Sequence, residues 1–314
     1  MPITPHQLEQ RKKHLGSSDL APMLGISPWT TAYDLWLEKT DQIEPKAQTQ
    51  AMKRGNRAER YVLEFAEEEL GKLLPNQYRS AKDSGVPIAC NIDSILVEPS
   101  EHGIEVYGAS KGNPTEGKSI SRASGYGEGI EEVPDVARVQ AHGHMIVTDQ
   151  EVCFVPVIGS HWSERMYVVR RDNRLVDIIC RVATAFWSDC VLSRRAPTAE
   201  FYRKLGLRGV DPMACCPSPD IAKVMYREPN KIVSIPHDIV TTYLQCKQAK
   251  AEAEKAMKLT EQEIFRCLGD AEAGVTEAGQ AIIYFQQTRH MPAKEAYDQV
   301  FRVLRFRAKG LETE

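Results

Sequence analysis

Asp93, Glu116 and Lys118 have the residue types and the spacing that metal-assisted hydrolysis of a phosphodiester requires. Asp93 interrupts the apolar run of residues 88–97, where a carboxylate is costly unless another group pairs with it. Alternate residues of a strand point to the same face, so Glu116 and Lys118 are expected to meet at one centre. Carboxylate oxygens bind hard divalent cations, and a lysine can orient or deprotonate the attacking water.

Each of these features also has a purely structural explanation. An acid and a lysine two residues apart, such as Glu116 and Lys118, are common as a surface ion pair. Asp93 could close a turn or pair with an arginine. Glu59, on a predicted helix, could be one of the many solvated acids of that helix. The residues alone therefore leave both interpretations open.

The elements that must position these residues follow from the periodicity of apolar side chains. Helices are predicted over residues 19–24, 55–71, 134–147, 172–192 and 237–268, and strands over residues 86–98, 103–108, 151–159 and 165–170. The glycines between residues 108 and 130 predict a loop-rich segment, and residues 275–309 alternate in places as edge strands do.

The order of these elements favours three regions along the chain. A mixed α/β core is predicted over residues 1–195, followed by a linker or surface excursion over residues 196–235. Residues 236–314 are predicted to form an appendage of one long helix and β structure, which would contact another subunit or a partner.

Composition excludes several classes of protein. Apolar residues make up 42% and charged residues 26%, as in ordinary globular domains, and the net charge of −3 lacks the global basic character of many DNA-binding proteins. A local basic groove can nevertheless lie on an acidic protein. The 8 cysteines form no C-x-x-C pair, which argues against zinc or iron–sulfur sites. With no apolar run of membrane length and no signal peptide, we expect a cytoplasmic protein with reduced thiols.

Five motifs occur in a fixed order over residues 11–150. They are Leu15-Gly16-Ser17-Ser18-Asp19 continuing to Ser27-Pro28-Trp29, Gly55-x-x-x-Glu59, Asn91-Ile92-Asp93, Glu116-Gly117-Lys118, and a helix with Pro134, Val139-Gln140 and Met145-Ile146-Val147-Thr148. In residue types and in order along the chain they resemble the motifs of the lambda exonuclease, or YqaJ-type, family of phage recombination nucleases within the PD-(D/E)xK superfamily.

This resemblance implies a fold, an activity and partners. The fold would be α/β, with a restriction-endonuclease-like core in which a central mixed sheet is flanked by helices. The activity would be that of a 5′-to-3′ exonuclease that degrades one strand of linear double-stranded DNA to 5′-mononucleotides and leaves a 3′ tail. The cofactor would be Mg²⁺, with Mn²⁺ as a substitute, and two ions would bind. Double-stranded DNA ends, a single-strand annealing protein and two further copies in a homotrimeric ring would be the partners, in a bacterial host cell.

The resemblance also implies roles for nine residues. Metal ligation falls to Asp93, Glu116 and the carbonyl of Gly117. The catalytic residues would be Lys118, Glu59 and Gln140. Lys118 would orient or deprotonate the nucleophilic water. Glu59 would be an acidic metal ligand or a supporting group, and Gln140 would lie close to the metal and its water. The DNA 5′-phosphate would be held by Arg11 and Ser18, and Met52 would act as a wedge at the duplex end.

The sequence departs from the family pattern at Ser94, where glycine is usual after the strand aspartate. Glu105 lies nearer to the expected spacing from Asp93, but Tyr107 stands where the lysine of an E-x-K motif would be. Glu116, which is followed by Lys118, is therefore favoured as the metal ligand. His142 and His144 are expected to be hydrogen-bonded packing residues rather than catalytic ones. Two alternative functions stay open: an endonuclease on the same core, or an inactive DNA-end-binding module that loads the annealing protein.

Overall fold

The computed structural model of the protein describes residues 12–43, 49–81, 85–120, 125–159, 163–224, 232–271, 273–277 and 281–283. The described residues fall into two compact units, one up to residue 224 and the other from residue 232 onward. No helix in these ranges combines the length and the apolar character that crossing a bilayer would need.

The first unit contains eight of the helices described below and six strands. The helices are α1 (Ser17–Met23), α2 (Ala32–Lys39), α3 (Gln50–Leu70), α4 (Glu101–Tyr107), α5 (Asp135–Thr148), α6 (Asn173–Ala185, continued by a π-helical segment Phe186–Leu192), α7 (Ala199–Lys204) and α8 (Pro219–Val224), with a short 3-10 helix at Pro212–Cys215. The strands are β1 (Gly71–Ser80), β2 (Ala89–Pro99), β3 (Pro114–Thr115), β4 (Lys118–Ser119), β5 (Val152–Ile158) and β6 (Glu164–Arg170).

The six strands form one mixed sheet. β1 pairs antiparallel with β2, β2 pairs antiparallel with β3, and β5 pairs antiparallel with β6. β3 and β4 both run parallel to β5, with Thr115 opposite Phe154 and Lys118 opposite Val157. The register along β5 is unchanged between the two pairings. β3 and β4 are therefore one strand, interrupted at residues 116 and 117.

Strand β5 is the centre of the core. All seven of its residues are buried, as expected for a strand that is covered on both faces. Phe154 packs in a cluster with Phe65 and Ala66 of α3, whereas Val155 packs with Ala141 and Met145 of α5. Because neighbouring residues of a strand point to opposite faces, α3 and α5 lie on opposite sides of the sheet.

The N-terminal segment is built into this core. Leu15 forms a parallel bridge with Ile88, just before β2 begins. Helix α1 then approaches α5 closely at Gly143, where an added Cβ would lie 2.6 Å from the Leu20 Cδ1 atom and 3.2 Å from the Ser17 Cβ atom. Glycine at this position allows the two helices to make contact along their backbones.

The second unit contains helix α9 (His237–Leu268) and a two-stranded antiparallel sheet of β7 (Ala273–Val275) and β8 (Ala281–Ile283). The predicted long helix of residues 237–268 is confirmed. Within the tail of residues 275–309, where strands were predicted, β8 is confirmed, and β7 reaches only the first residue of that tail. Residues 284–309 lie outside the described residues.

Most predicted elements of the core are confirmed, and so is the overall class of a mixed sheet flanked by helices with a C-terminal helix. The strand predicted over residues 103–108 is wrong, because that segment is helix α4. The Ser100 hydroxyl caps this helix by accepting the Gly103 N–H at 2.9 Å, and Gly108 ends it with a φ of 68°. Strand β1 was not predicted, since Pro75 and a mostly exposed pattern conceal its pairing.

Part of the segment predicted as a linker or surface excursion packs on the core. Tyr202 is fully buried, and its hydroxyl donates to the carbonyl of Met23 at 2.7 Å. Ile221 is also buried in the same apolar cluster.

A buried ion pair fixes the first two helices. The Lys39 ammonium lies 2.6 Å from the Asp19 carboxylate, and both side chains are almost fully buried. The same ammonium donates to the carbonyl of His14 at 2.9 Å, and Asp19 accepts the Gly16 N–H at 2.8 Å. The pair thus ties α1, α2 and the chain before α1 together.

Replacing Lys39 by methionine is expected to lower the free energy of unfolding by about 3–5 kcal/mol, because the Asp19 charge would stay buried without its partner. Chemical denaturation measures the change. Lys72→Met is the matched control, since the pair of Lys72 with Glu98 is exposed and should contribute less than about 1 kcal/mol. Equal losses in the two variants would contradict a structural role for the buried pair.

Candidate active site

The interruption between β3 and β4 places Glu116 and Lys118 on one face of the sheet. The Lys118 Nζ atom lies 2.7 Å from Glu116 Oε1, as the alternation of a strand predicts. Gln140 of α5 completes a closed set: its Oε1 accepts from Lys118 at 2.7 Å and its Nε2 donates to Glu116 Oε1 at 2.6 Å. The structure therefore brings three of the predicted site residues into direct contact.

A second carboxylate comes from the neighbouring strand. Asp93 of β2 accepts the N–H of Gly117 at 2.8 Å through its Oδ2 atom. The pairing of Ser94 with Thr115, whose hydroxyls are hydrogen bonded to each other, sets the register that brings Asp93 beside the interruption. A strand aspartate and an E-x-K strand thus meet because β2 and β3 are adjacent in the sheet.

Helix α3 closes the site from the other side. A Cβ atom added at Gly117 would lie 2.8 Å from Val62 Cγ1, so only glycine allows the strand to approach this helix without a shift. Glu59, one turn before Val62, is close enough to Asp93 that its charge contributes to raising the pKa of Asp93. Glu59 therefore belongs to the same acidic cluster.

Burial and neighbouring charges shift the pKa values of Asp93, Glu116 and Lys118. Burial and the adjacent Glu116 carboxylate raise the pKa of Asp93 to about 8. Burial alone would also raise the pKa of Glu116, but the Lys118 charge and the His144 hydrogen bond hold that pKa at about 2. Burial opposes the charge on Lys118, yet Glu116 raises the pKa of Lys118 above its ordinary value. The raised pKa of Asp93 shows that another negative charge is unfavourable at this position, so a bound cation would be favourable.

The donor atoms fit a hard divalent cation. Within the described residues, no three His, Cys, Asp or Glu side chains form a ready cage for a metal ion. Mg²⁺ does not require such a cage, because it is usually held by one or two carboxylates together with water and substrate oxygens. Asp93 and Glu116, which are brought together through Gly117, match that requirement.

Two nearby residues were not predicted as part of the site. His144 is fully buried, and its Nε2 lies 2.7 Å from Glu116 Oε2. The signal for it was its position four residues after Gln140, which puts both on one face of α5. Tyr126 lies close enough to Lys118 for the lysine charge to oppose the rise that burial causes in the pKa of Tyr126. The glycine-rich segment around it gave no pattern to identify it.

His142 matches the packing interpretation. Its Nδ1 lies 2.7 Å from the carbonyl oxygen of Arg138, and its Nε2 accepts the N–H of Asp172 at 3.0 Å. Since Nε2 accepts, Nδ1 carries the proton and donates to Arg138. His142 therefore joins α5 to the start of α6, away from Glu116.

Four further residues were considered from the sequence: Ser18, Glu105, Met52 and Arg11. Ser18 is exposed on the first turn of α1, and Glu105 is exposed on α4. Met52 lies on the first turn of α3, and Arg11 lies outside the described residues.

The fold and the site define an α/β protein in which carboxylates from neighbouring strands lie beside a partly buried lysine where a strand is interrupted. Residues 6–151 match the family model of the YqaJ-like viral recombinase domain, and these residues include all five motifs. The family resemblance that the five motifs predict is thus confirmed over residues 6–151.

Similar proteins are found by sequence and by structure. The chain is 26% identical over 280 residues to YqaJ of Bacillus subtilis (strain 168), an uncharacterized protein, with 85% of this chain and 79% of the relative covered. The alkaline exonuclease LHK-Exo from Laribacter hongkongensis matches with a TM-score of 0.45 at 13% identity, covering 65% of this chain and 98% of that chain. The LHK-Exo structure in complex with dAMP gives a TM-score of 0.46 at 12% identity with the same coverage.

The contact of Gly117 with Val62 can be tested by a double-mutant cycle. Gly117→Ala is expected to lower the free energy of unfolding by about 1–3 kcal/mol, because the new methyl overlaps the buried Val62 side chain. Adding Val62→Ala opens that space, so the double variant should lose less than the sum of the two single losses. Gly55→Ala on α3 is the control, since its Cβ would meet nothing within 4 Å. Strict additivity would contradict this arrangement.

Proposed function

We propose that the protein is a metal-dependent exonuclease that degrades one strand of linear double-stranded DNA from its 5′ end. The products would be 5′-mononucleotides and a 3′ single-stranded tail suited to recombination by strand annealing. The observation that carries the proposal is the closed contact of Glu116, Lys118 and Gln140 beside Asp93. The match of residues 6–151 to the YqaJ-like viral recombinase domain supports the same reaction and the same biological setting.

The carboxylates have the first role in this proposal. Asp93, Glu116 and the carbonyl of Gly117 would hold Mg²⁺, or Mn²⁺ in its place, with Glu59 as a further acidic group. Two bound cations would supply charge that stabilises the attacking and leaving oxygens of the phosphodiester. Burial and the neighbouring Glu116 carboxylate raise the pKa of Asp93, and a bound cation would offset the cost of ionising Asp93, which supports cation binding here.

Lys118 has the second role. An ammonium has three N–H donors, and two of them are directed to Glu116 and Gln140 at 2.7 Å each. The third donor would orient the attacking water or a phosphate oxygen. Gln140 cannot turn its amide without losing a contact, since its oxygen accepts from Lys118 while its nitrogen donates to Glu116. Gln140 therefore fixes the direction of the lysine.

The DNA would be held mainly through its phosphates, which suits an enzyme that must digest any sequence. Lys53, Arg54 and Arg57 are exposed on α3 ahead of Glu59, and they provide a local basic surface on an acidic chain. We place Arg11 and Ser18 at the 5′-phosphate and Met52 at the duplex end. A homotrimeric ring, a single-strand annealing partner and action in the cytoplasm of a bacterial host complete the proposal.

The exonuclease activity is tested with Mg²⁺ on linear duplexes that carry or lack a 5′-phosphate, together with a closed circle of the same sequence. The wild-type protein should release mononucleotides from 5′ ends and leave the circle intact. Lys118→Ala should lower the rate by roughly 10²–10⁴-fold, the usual contribution of a group that moves or orients a proton. Glu105→Ala should stay near the wild-type rate, because Glu105 is an exposed residue of α4.

Other outcomes identify the alternatives. Cleavage of the closed circle would show an endonuclease. Normal binding of DNA ends without release of nucleotides would show an end-binding module that has lost its chemistry. Full activity of Lys118→Ala would place the active site elsewhere.

The basic surface of α3 gives a separate prediction. Arg54→Ala combined with Arg57→Ala should weaken DNA binding and make it less dependent on salt, with the slope of log K against log salt reduced by about 1–2. Titration of a labelled duplex at several salt concentrations measures this. Arg60→Ala is the control on the same helix, because the Arg60 guanidinium pairs with Glu64 at 2.7 Å. Equal effects from Arg60→Ala would argue against a specific phosphate contact by Arg54 and Arg57.

A further inference from the structure

We propose that His144 is a positioning residue that fixes the orientation of the Glu116 carboxylate and thereby sets how that carboxylate binds a metal ion. This inference rests on the proposed function, because it assigns a task to His144 within the same site. Its main readout, metal binding, is independent of DNA hydrolysis.

The two oxygens of Glu116 have different partners. Oε1 faces Lys118 and Gln140, at 2.7 Å and 2.6 Å from their nitrogen atoms, and it is the oxygen on the side of the lysine. Oε2 lies 2.7 Å from Nε2 of His144. Gln140 and His144 are one turn apart on α5, so a single helix holds the carboxylate at both oxygens.

The contacts determine which proton His144 carries. The ionised Glu116 carboxylate has only acceptors, so Nε2 of His144 must be the donor in this contact. Nδ1 is buried and has no hydrogen-bond partner among the described residues. Nε2 of His144 therefore carries a proton, and the imidazole is held against Oε2 of Glu116 by that hydrogen bond.

The surroundings leave few substitutes for this donor. His144 is fully buried, and water therefore cannot readily take its place. Cys90 and Cys153 are also buried near Glu116, and burial raises the pKa of both thiols far enough to keep them neutral. A neutral thiol is a weak donor, so the imidazole is the strong donor to Oε2.

The consequence is a carboxylate that cannot turn freely. With Oε2 held by His144 and Oε1 held by Lys118 and Gln140, Glu116 would meet an incoming cation in one fixed orientation. Without the imidazole the carboxylate could rotate, and both the affinity for metal and the alignment with Lys118 would change. Groups that orient metal ligands in this way typically change metal affinity or activity by about 10–100-fold when they are removed.

Three substitutions separate this role from simple packing. His144→Gln keeps a donor near the position of Nε2, His144→Asn has a similar amide that is too short to reach Oε2, and His144→Leu removes the donor. Mn²⁺ binding to the full-length protein is measured by calorimetry, together with kcat and KM on linear duplex and the free energy of unfolding. His142→Gln is the control on the same helix, because His142 contacts the backbone of Arg138 and Asp172.

We expect Mn²⁺ affinity and kcat to fall by about 10–100-fold in His144→Asn and His144→Leu, with KM for DNA little changed. His144→Gln should stay within a few-fold of the wild-type protein. The proposal is overturned if folded His144→Asn binds Mn²⁺ as tightly as His144→Gln, or if the three His144 variants lose only stability. If the wild-type protein binds Mn²⁺ but hydrolyses no DNA, the proposed function fails, while the order of Mn²⁺ affinities still decides the role of His144.

Discussion

The arrangement of the site depends on the burial of one charged group, the Glu116 carboxylate. A buried carboxylate must find partners for its oxygens, and Glu116 finds Lys118, Gln140 and His144. These partners come from the same strand and from the helix that packs on it. The sheet and α5 therefore cannot shift against each other without leaving a charge uncompensated in the interior.

The same requirement explains the break in the strand. At residues 116 and 117 the chain must supply a charged side chain toward α5 and also allow α3 to approach without a side chain at Gly117. The backbone still pairs with β5, since the Glu116 N–H donates to the Phe154 carbonyl at 2.9 Å. The interruption is thus a local adjustment within an otherwise regular parallel pairing, and it places the Gly117 N–H against Asp93.

The sequence was sufficient for the features that follow from periodicity or from a motif. Helices such as α5 and α9 have long apolar or helix-forming patterns, and Glu116 with Lys118 is an alternation that needs no tertiary information. It was insufficient where distant segments decide the outcome. α4 was predicted as a strand because the cap from Ser100 competes with an apparent alternation. β1 has too many exposed residues to be recognised without its partner β2.

The close approach of α1 to α5 at Gly143 joins two of the sequence motifs through direct packing. Gly143 lies between His142 and His144, and the side chain of Leu20 and the backbone of Ser17 fill the space that a larger residue would need. A larger side chain at Gly143, Leu20 or Ser17 would push α1 away from α5, which carries Gln140. The opening motif and the Gln140 helix are therefore coupled through packing, and a larger residue at Gly143 would require a smaller one at position 17 or 20.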